Sequence, residues 1–353
     1  MNEICPECGV PQYISAQHLW LNNGDIVNAR LATERLNFME SEFLDPLIQE
    51  IERLLGVPIE PIVITTFQEA TRVYVSSLLP KELVDMVKAG TLEARNVADG
   101  IAAVGRLAGY GSYTYVDMRM EGGELEFATY RVSKPFSVPM GAACHGADFE
   151  AILGVDQAVE YKKVGEDLYE VTCSPSPPPE DLKERLAPRQ YQHQDGDLEL
   201  ERCATCNVPR AISEFQWKLE EGLVLNRVTG RRMAITGPNQ TEPIFSELEK
   251  ELGEEIPQTV IEAQRRIARA GFLPVEIMES QERLRMELAI RGLGNLRSYR
   301  ADKSGLSLRL ENVCLPLIVV GSIQGLYDLR YHAESRLEWE LTPERTLSVE
   351  LKP

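Results

Sequence analysis

The chain has 353 residues, 43% of them apolar, with a formal net charge of −18. That length suits two domains of ordinary size, and an acidic balance with scattered Lys and Arg argues against a general grip on nucleic-acid backbone. No apolar run reaches the ~18–20 residues that span a bilayer, and Met1-Asn2-Glu3 opens no basic-then-apolar signal segment. A cytoplasmic location is therefore expected, with the seven cysteines as thiols or metal ligands in place of disulfides.

The chain opens on Cys5-Pro6-Glu7-Cys8-Gly9-Val10-Pro11 and returns to the phrase at Cys203-Ala204-Thr205-Cys206-Asn207-Val208-Pro209. Each phrase is followed by Ile-Ser (Ile14-Ser15, Ile212-Ser213), a glycine (Gly24, Gly222) and an asparagine (Asn28, Asn226), all at one constant offset. A fixed offset over many matches is the signature of an internal duplication. In the first half, residues 18–21 and 26–28 read as short strands around Gly24, the β-hairpin that follows a CxxC in zinc-ribbon-like elements. A helix is expected over 43–56, with Pro46 near its start and Gly56 as its C-cap. Further helices are expected over 64–77 and between Pro80 and Gly90.

A glycine pair, Gly109 and Gly111, then opens a β-rich end with a tyrosine-bearing strand (Tyr110, Tyr113, Tyr115) and a second strand at 125–130. A helix of small and apolar residues over 139–150 and a hairpin of 158–161 with 168–172 close the half. The second half repeats the order: strands 216–219 and 223–226, a turn at 229–232, and a helix over 244–253 with Pro243 near its start. Ile244, Phe245, Leu248 and Leu252 form one apolar stripe on that helix. Helices at 259–270 and between Pro274 and Arg291, the pair Gly292 and Gly294, a strand at 306–310, a helix at 316–328 and a hairpin of 336–341 with 346–351 follow. The first half carries extra residues around 91–104. The proline-dense stretch from Ser174 reads as an extended, semi-rigid linker. The expected domains are 1–173 as first repeat, 174–197 as linker and 198–353 as second repeat. The expected fold class is α+β: two homologous halves, each a CxxC hairpin, several helices and an antiparallel sheet, packed about a pseudo-two-fold axis.

Zinc takes four tetrahedral ligands and favours thiolate, and one CxxC turn supplies two. Cys5, Cys8, Cys203 and Cys206 would together supply all four to one structural zinc, given that packing. Two separate sites, redox dithiols or metal-free thiols remain open, although neither pair has the strand-then-helix context of a redox CxxC. Cys144 beside His145 could ligate a metal or haem iron; equally, Cys144 and Cys314 could be small buried hydrophobes. Tyr113 and Tyr115 share a strand face that could line a pocket. No nucleophile–base set or paired-carboxylate signature stands out.

The order of helices, GxG-opened strands, small-residue helix (Gly141-Ala142-Ala143-Cys144-His145-Gly146) and closing hairpin with Cys173 resembles the 4-vinyl reductase-like small-molecule-binding domains. That family is related to a haem-NO-binding and vesicle-tethering fold group. The resemblance covers residues 42–173 and, more faintly, 244–351; the CxxC knuckles lie outside it. It implies an α+β fold, dimer-like pairing of units and a pocket for an apolar or tetrapyrrole-like ligand, with the ligand-associated cysteines at Cys144 and Cys173. The second half has neither cysteine in place, so ligand binding is expected of the first half. The resulting expectation is a zinc-stabilised sensor or carrier of an unidentified small molecule. A cofactor-dependent enzyme using Cys144 and His145, and a scaffold that meets a protein partner or dimerises further, are the alternatives.

Overall fold

A computed structural model describes residues 3–121, 124–176 and 191–353. The fold is α+β with antiparallel sheets. After a one-and-a-half-turn helix α1 (Gln12–Gln17), three strands β1 (His18–Trp20), β2 (Ile26–Asn28) and β3 (Arg35–Glu40) form a meander. A second meander, β8 (Phe215–Lys218), β9 (Leu223–Asn226) and β10 (Arg232–Thr236), follows the other CxxC. β3 and β10 pair antiparallel, Asn37 opposite Thr236 and Glu40 opposite Met233, giving one six-stranded sheet in the order β1-β2-β3-β10-β9-β8. The hairpins match the sequence reading, but β3 and β10 are additional. Arg35–Glu40 is buried at every position; its polar residues, which alternate with Leu36 and Phe38, are held inside by pairing with Asp25, Thr236 and Arg291, and the alternation breaks at Met39 after only four residues.

Helices α2 (Leu44–Leu55) and α3 (Glu60–Leu78) follow in the first half, α7 (Pro238–Leu252) and α8 (Ile256–Arg269) in the second. α2 packs on α8 and α3 on α7, so one apolar core runs through both halves. Gly56 caps α2 in the left-handed conformation, φ 72°. The sequence placed Pro243 at the start of its helix; α7 instead begins at Pro238 and holds Pro243 inside. Its first turn had no apolar stripe to reveal it, since Gln240, Thr241 and Glu242 are buried through polar contacts. The first half then has α4 (Lys81–Lys88) and α5 (Ala94–Leu107), the latter made from the extra residues; the second half has only a 3-10 turn (Val275–Met278) and α9 (Gln281–Ile290).

Each half ends in a four-stranded sheet. In the first, β4 (Ser112–Glu121), β5 (Glu124–Ser133), β6 (Gln157–Gly165) and β7 (Leu168–Pro175) run in the order β4-β5-β7-β6 beside α6 (Val138–Leu153). In the second, β11 (Asn295–Asp302), β12 (Gly305–Glu311), β13 (Arg336–Leu341) and β14 (Leu347–Lys352) run β11-β12-β14-β13 beside α10 (Pro316–Tyr331).

The glycine pairs meet the hairpins crosswise. Gly294 N–H donates to Gly24 O at 3.3 Å, and Gly111 N–H to Gly222 O at 2.9 Å. Trp20 Nε1–H donates to Ile290 O and Trp217 Nε1–H to Leu107 O. Each CxxC hairpin is thus seated on the turn of the other half. The end of the expected linker is also built in. Tyr191 lies between the Arg35 and Arg345 guanidiniums, each 5.4 Å from its ring centroid, and His193 Nδ1 is 2.5 Å from Asp25 Oδ2. The proline-rich stretch 177–190 lies outside the described residues.

A Cβ on Gly24 would sit 2.3 Å from the backbone of Gly294, where neither side can yield, whereas one on Gly56 would meet nothing within 4 Å. Both glycines have positive φ. Gly24→Ala is expected to lose at least ~2 kcal/mol and Gly56→Ala about 1 kcal/mol, read from urea midpoints at constant slope.

A four-cysteine cluster and an apolar cavity

Each CxxC is a tight knuckle. Cys5 N–H donates to Val10 O and Gly9 N–H to Cys5 O; Cys203 N–H donates to Val208 O and Asn207 N–H to Cys203 O, all at 2.8–2.9 Å. The turn needs a left-handed residue after its second cysteine, met by Gly9 (φ 75°) and Asn207 (φ 64°), the two residue types that adopt it most readily. The β3–β10 pairing brings the two knuckles face to face. Cys5 Sγ lies 3.7 Å from Cys203 Sγ and Cys8 Sγ 3.3 Å from Cys206 Sγ, with all four ligand atoms within 4.8 Å of one another. None of the four is in a disulfide. Four sulfurs about 2.3 Å from a tetrahedral zinc stand ~3.8 Å apart, so the cluster has the size of a four-cysteine metal site.

The surroundings close that site. Val10, Ile14, Val208, Ile212 and Phe215 pack around it, and Cys206 alone of the four is half-exposed. Glu7 Oε2 crosses between the knuckles to accept from Thr205 N–H (3.2 Å) and Oγ1–H (2.9 Å); the bonds from Thr205 hold its carboxyl below the usual range. Burial raises a thiol, yet at Cys5, covered but shallow, the N–H groups of Cys8 and Glu7 prevail and bring it down to about 7. Burial pushes Cys8 and Cys206 up. Without a cation these sulfurs cannot all ionise together; a divalent metal removes that conflict by displacing the protons.

The second feature is a cavity of about 490 Å³ in the first half. Its walls come from α1, α3, α5 and α6, and its roof is the sheet face carrying Leu36 and Ile235. Most of the lining is apolar, and the sequence-expected Cys144 and Tyr113 are part of it. Tyr113 donates its hydroxyl to Gly141 O at 3.0 Å. The other expected ligand residues are elsewhere. His145 is buried between Tyr130 and Phe149 and its Nε2 is 3.1 Å from Ala128 O. Tyr115 carries the Arg95 guanidinium 3.8 Å from its ring centroid, and Cys173 is packed with Ala128 and Phe149 in the core. Cys314 is fully buried.

Sequence reasoning did not single out several titratable groups of the lining, among them Tyr13, His18, Tyr74 and Asp148. Asp148 could have been found, because it lies four residues after Cys144, on the same side of a helix in which His145 and Glu150 are the other charged or titratable polar residues. Burial holds the Asp148 carboxyl far above the usual range and the Cys144 thiol well up. His18, bonded through Nδ1 to Ile14 O, is lowered by burial to about 4.

Compared with known proteins, the chain matches no family model, no curated protein and no solved structure.

With a single shared site, Cys5→Ser and Cys203→Ser should each lower the unfolding midpoint by well over the ~1 kcal/mol of an average substitution, and the double variant should be no worse than either. Additive losses would point to independent sites. His145 gives a separate pH signature. Burial lowers it to about 4 from an ordinary value of 6.5, so its neutral form is favoured by folding. That contribution, on the order of 3 kcal/mol, is complete above pH ~6.5 and is lost as pH falls towards 4. His145→Gln, which retains an N–H for Ala128 O, should flatten the stability slope over that window relative to the wild type.

Proposed function

We propose that the chain is a zinc-stabilised small-molecule-binding protein, a sensor or carrier, whose ligand occupies the cavity of the first half. The observation that carries this reading is the cavity itself, about 490 Å³, within the range of small-molecule sites. The space beneath the second-half helices, lined by Leu284, Leu288, Ile318 and Ile323, is about 60 Å³. The difference has a cause in the chain: α5 stands off as an outer wall in the first half. In the second, Gly321 and Gly325 let α10 lie directly against the backbone of α8.

The two halves descend, in this reading, from one duplicated unit related to the 4-vinyl reductase-like domains and are packed with pseudo-two-fold symmetry. The repeated element order, the crosswise seating of hairpins on glycine turns, and the α2–α8 and α3–α7 contacts support it. The zinc is structural: four thiolates complete its shell and leave no open position for substrate. Cys144 lines the cavity whereas His145 is engaged with Ala128 O, so the pair does not converge on one point as a catalytic couple would. No helix among the described residues is long and apolar enough to cross a membrane.

The test is cavity filling. Gly105 lines the cavity from α5, and a Cβ there makes only ordinary contact with the Tyr110 ring. The wild type should bind the neutral fluorophore N-phenyl-1-naphthylamine saturably with one site per chain. Gly105→Trp should weaken it at least tenfold without lowering the melting temperature. Unsaturable binding, or binding indifferent to Gly105→Trp, would contradict the assignment.

A further inference from the structure

The cavity wall has a chemical bias that its size alone does not reveal. Four tyrosines line it: Tyr13, Tyr74, Tyr110 and Tyr113. Two of their hydroxyls are engaged, Tyr74 by Asn28 Nδ2–H at 3.4 Å and Tyr113 on Gly141 O. Tyr110 is stacked on Phe136, centroids 4.2 Å apart, which fixes its ring in the wall. One carboxyl, Asp148, is present, on the α6 face that also carries Cys144.

The groups around Asp148 do not neutralise it. Those that feel its charge are Tyr110, Tyr113, Cys144 and Cys173, all neutral when protonated. From α3 the titratable lining group is Tyr74, and Glu69 is committed to Arg72; on α6 itself, Glu150 accepts from Gln68. From α5, Arg95 lies over Tyr115. From α4, Lys88 approaches α6 at its capping Gly154. Among the lining residues the one permanent cation is Arg30, which is exposed, and His18 stays neutral above about pH 4. No hydrogen bond or ion pair to the Asp148 carboxyl occurs among the described residues. An apolar chamber with tyrosine faces and one unpartnered acid is complementary to a positive charge carried on an apolar body. Aromatic faces attract cations through their quadrupole, and more strongly when water is excluded, while the carboxyl supplies a charge-assisted partner. The net charge of −18 favours the approach of such a ligand.

We infer that the cavity selects an amphiphilic cation, an apolar or aromatic body bearing one protonated amine, and that Asp148 is the counter-ion. The inference rests on the cavity reading above. Proton balance follows directly. Burial in the apolar wall raises the Asp148 carboxyl well above its usual range and so favours its protonated form in the free protein. When R–NH3+ enters, Asp148 gives its proton to solvent and the carboxylate pairs with the ammonium, so one proton leaves per ligand bound. Affinity therefore rises with pH while the amine stays charged. A neutral carbonyl ligand accepting from the protonated acid would show the opposite slope.

Three probes with one pyrene body separate the outcomes: 1-(aminomethyl)pyrene, 1-pyrenemethanol and 1-pyrenecarboxylate, titrated by fluorescence at pH 8 against the full chain. The amine should bind at least tenfold more tightly than the alcohol, and the carboxylate more weakly than both. Asp148→Asn should bring amine and alcohol within about twofold. Should Asp148→Asn fold poorly, Asp148→Ser and the wild type itself keep the question open to disproof. Calorimetry of the wild-type complex between pH 5 and pH 8, in two buffers of different ionisation enthalpy at each pH, should report net proton release on amine binding that falls as pH rises. Equal binding of amine and alcohol, an amine preference that survives loss of the carboxyl, or no proton release would overturn the inference and leave the cavity assignment standing. Failure of all three probes to bind would overturn both.

Discussion

Pairing of β3 with β10 decides where everything else lies. Two three-stranded meanders from distant parts of the chain become one sheet through this contact, with Phe38 opposite Ile235 near its centre. A slip of one residue would turn one strand over relative to the other, so that Leu36 and Phe38 would no longer share a face with Ile235. The same register sets the two CxxC turns face to face and seats each meander on the glycine turn of the opposite half. Sulfurs from Cys5 and Cys203 end 3.7 Å apart although they are 198 residues apart in the chain. No local sequence preference could achieve that approach; it is a product of tertiary pairing, which a metal would then lock by joining both sides.

Beneath that sheet the halves use like parts to different ends. In the second half, α10 lies against α8 and the space is filled. In the first, the extra helix α5 holds a wall away from α3 and α6, and the sheet closes the top, so a chamber opens. Buried charge is placed accordingly. Arg35 is paired with Asp25 at 2.5 Å and also donates to Asn312 O and Gly292 O, tying the first meander to the second half. Buried ions are tolerated when paired and multiply hydrogen-bonded in this way. Asp148 has no such partners, which sets it apart from the structural ion pairs and leaves it facing the chamber.

The sequence made the repeated knuckles, the order of helices and hairpins, and the four cysteines legible, because each leaves a local mark: a CxxC spacing, a capping glycine such as Gly56, or an apolar stripe like that of Ile244 and Leu248, although Leu252, read as its end, is exposed. It hid what depends on contacts between distant segments. β3 is buried at every position and β10 through its centre, and neither carries a polar–apolar alternation longer than the four residues 35–38. The first turn of α7 is held by polar contacts of Gln240 and Glu242, so its start was read too late, at Pro243. The extra residues around 91–104 were visible as an insertion, but not that they would wall a cavity. Tyr113 was identified from strand period and Cys144 from its place beside His145 and the family resemblance; the spacing of Asp148 to Cys144 was there to be read, but nothing along the chain says that its neighbours across the fold will be uncharged.

The most direct test of the account is metal content per chain, measured by elemental analysis on protein purified without chelator or affinity metal. One zinc per chain, lost equally on replacing a cysteine of either knuckle, is the predicted result if a single ion is shared between Cys5, Cys8, Cys203 and Cys206. Two ions per chain, or none, would contradict the account and leave the meeting of the two knuckles without the bond that explains it.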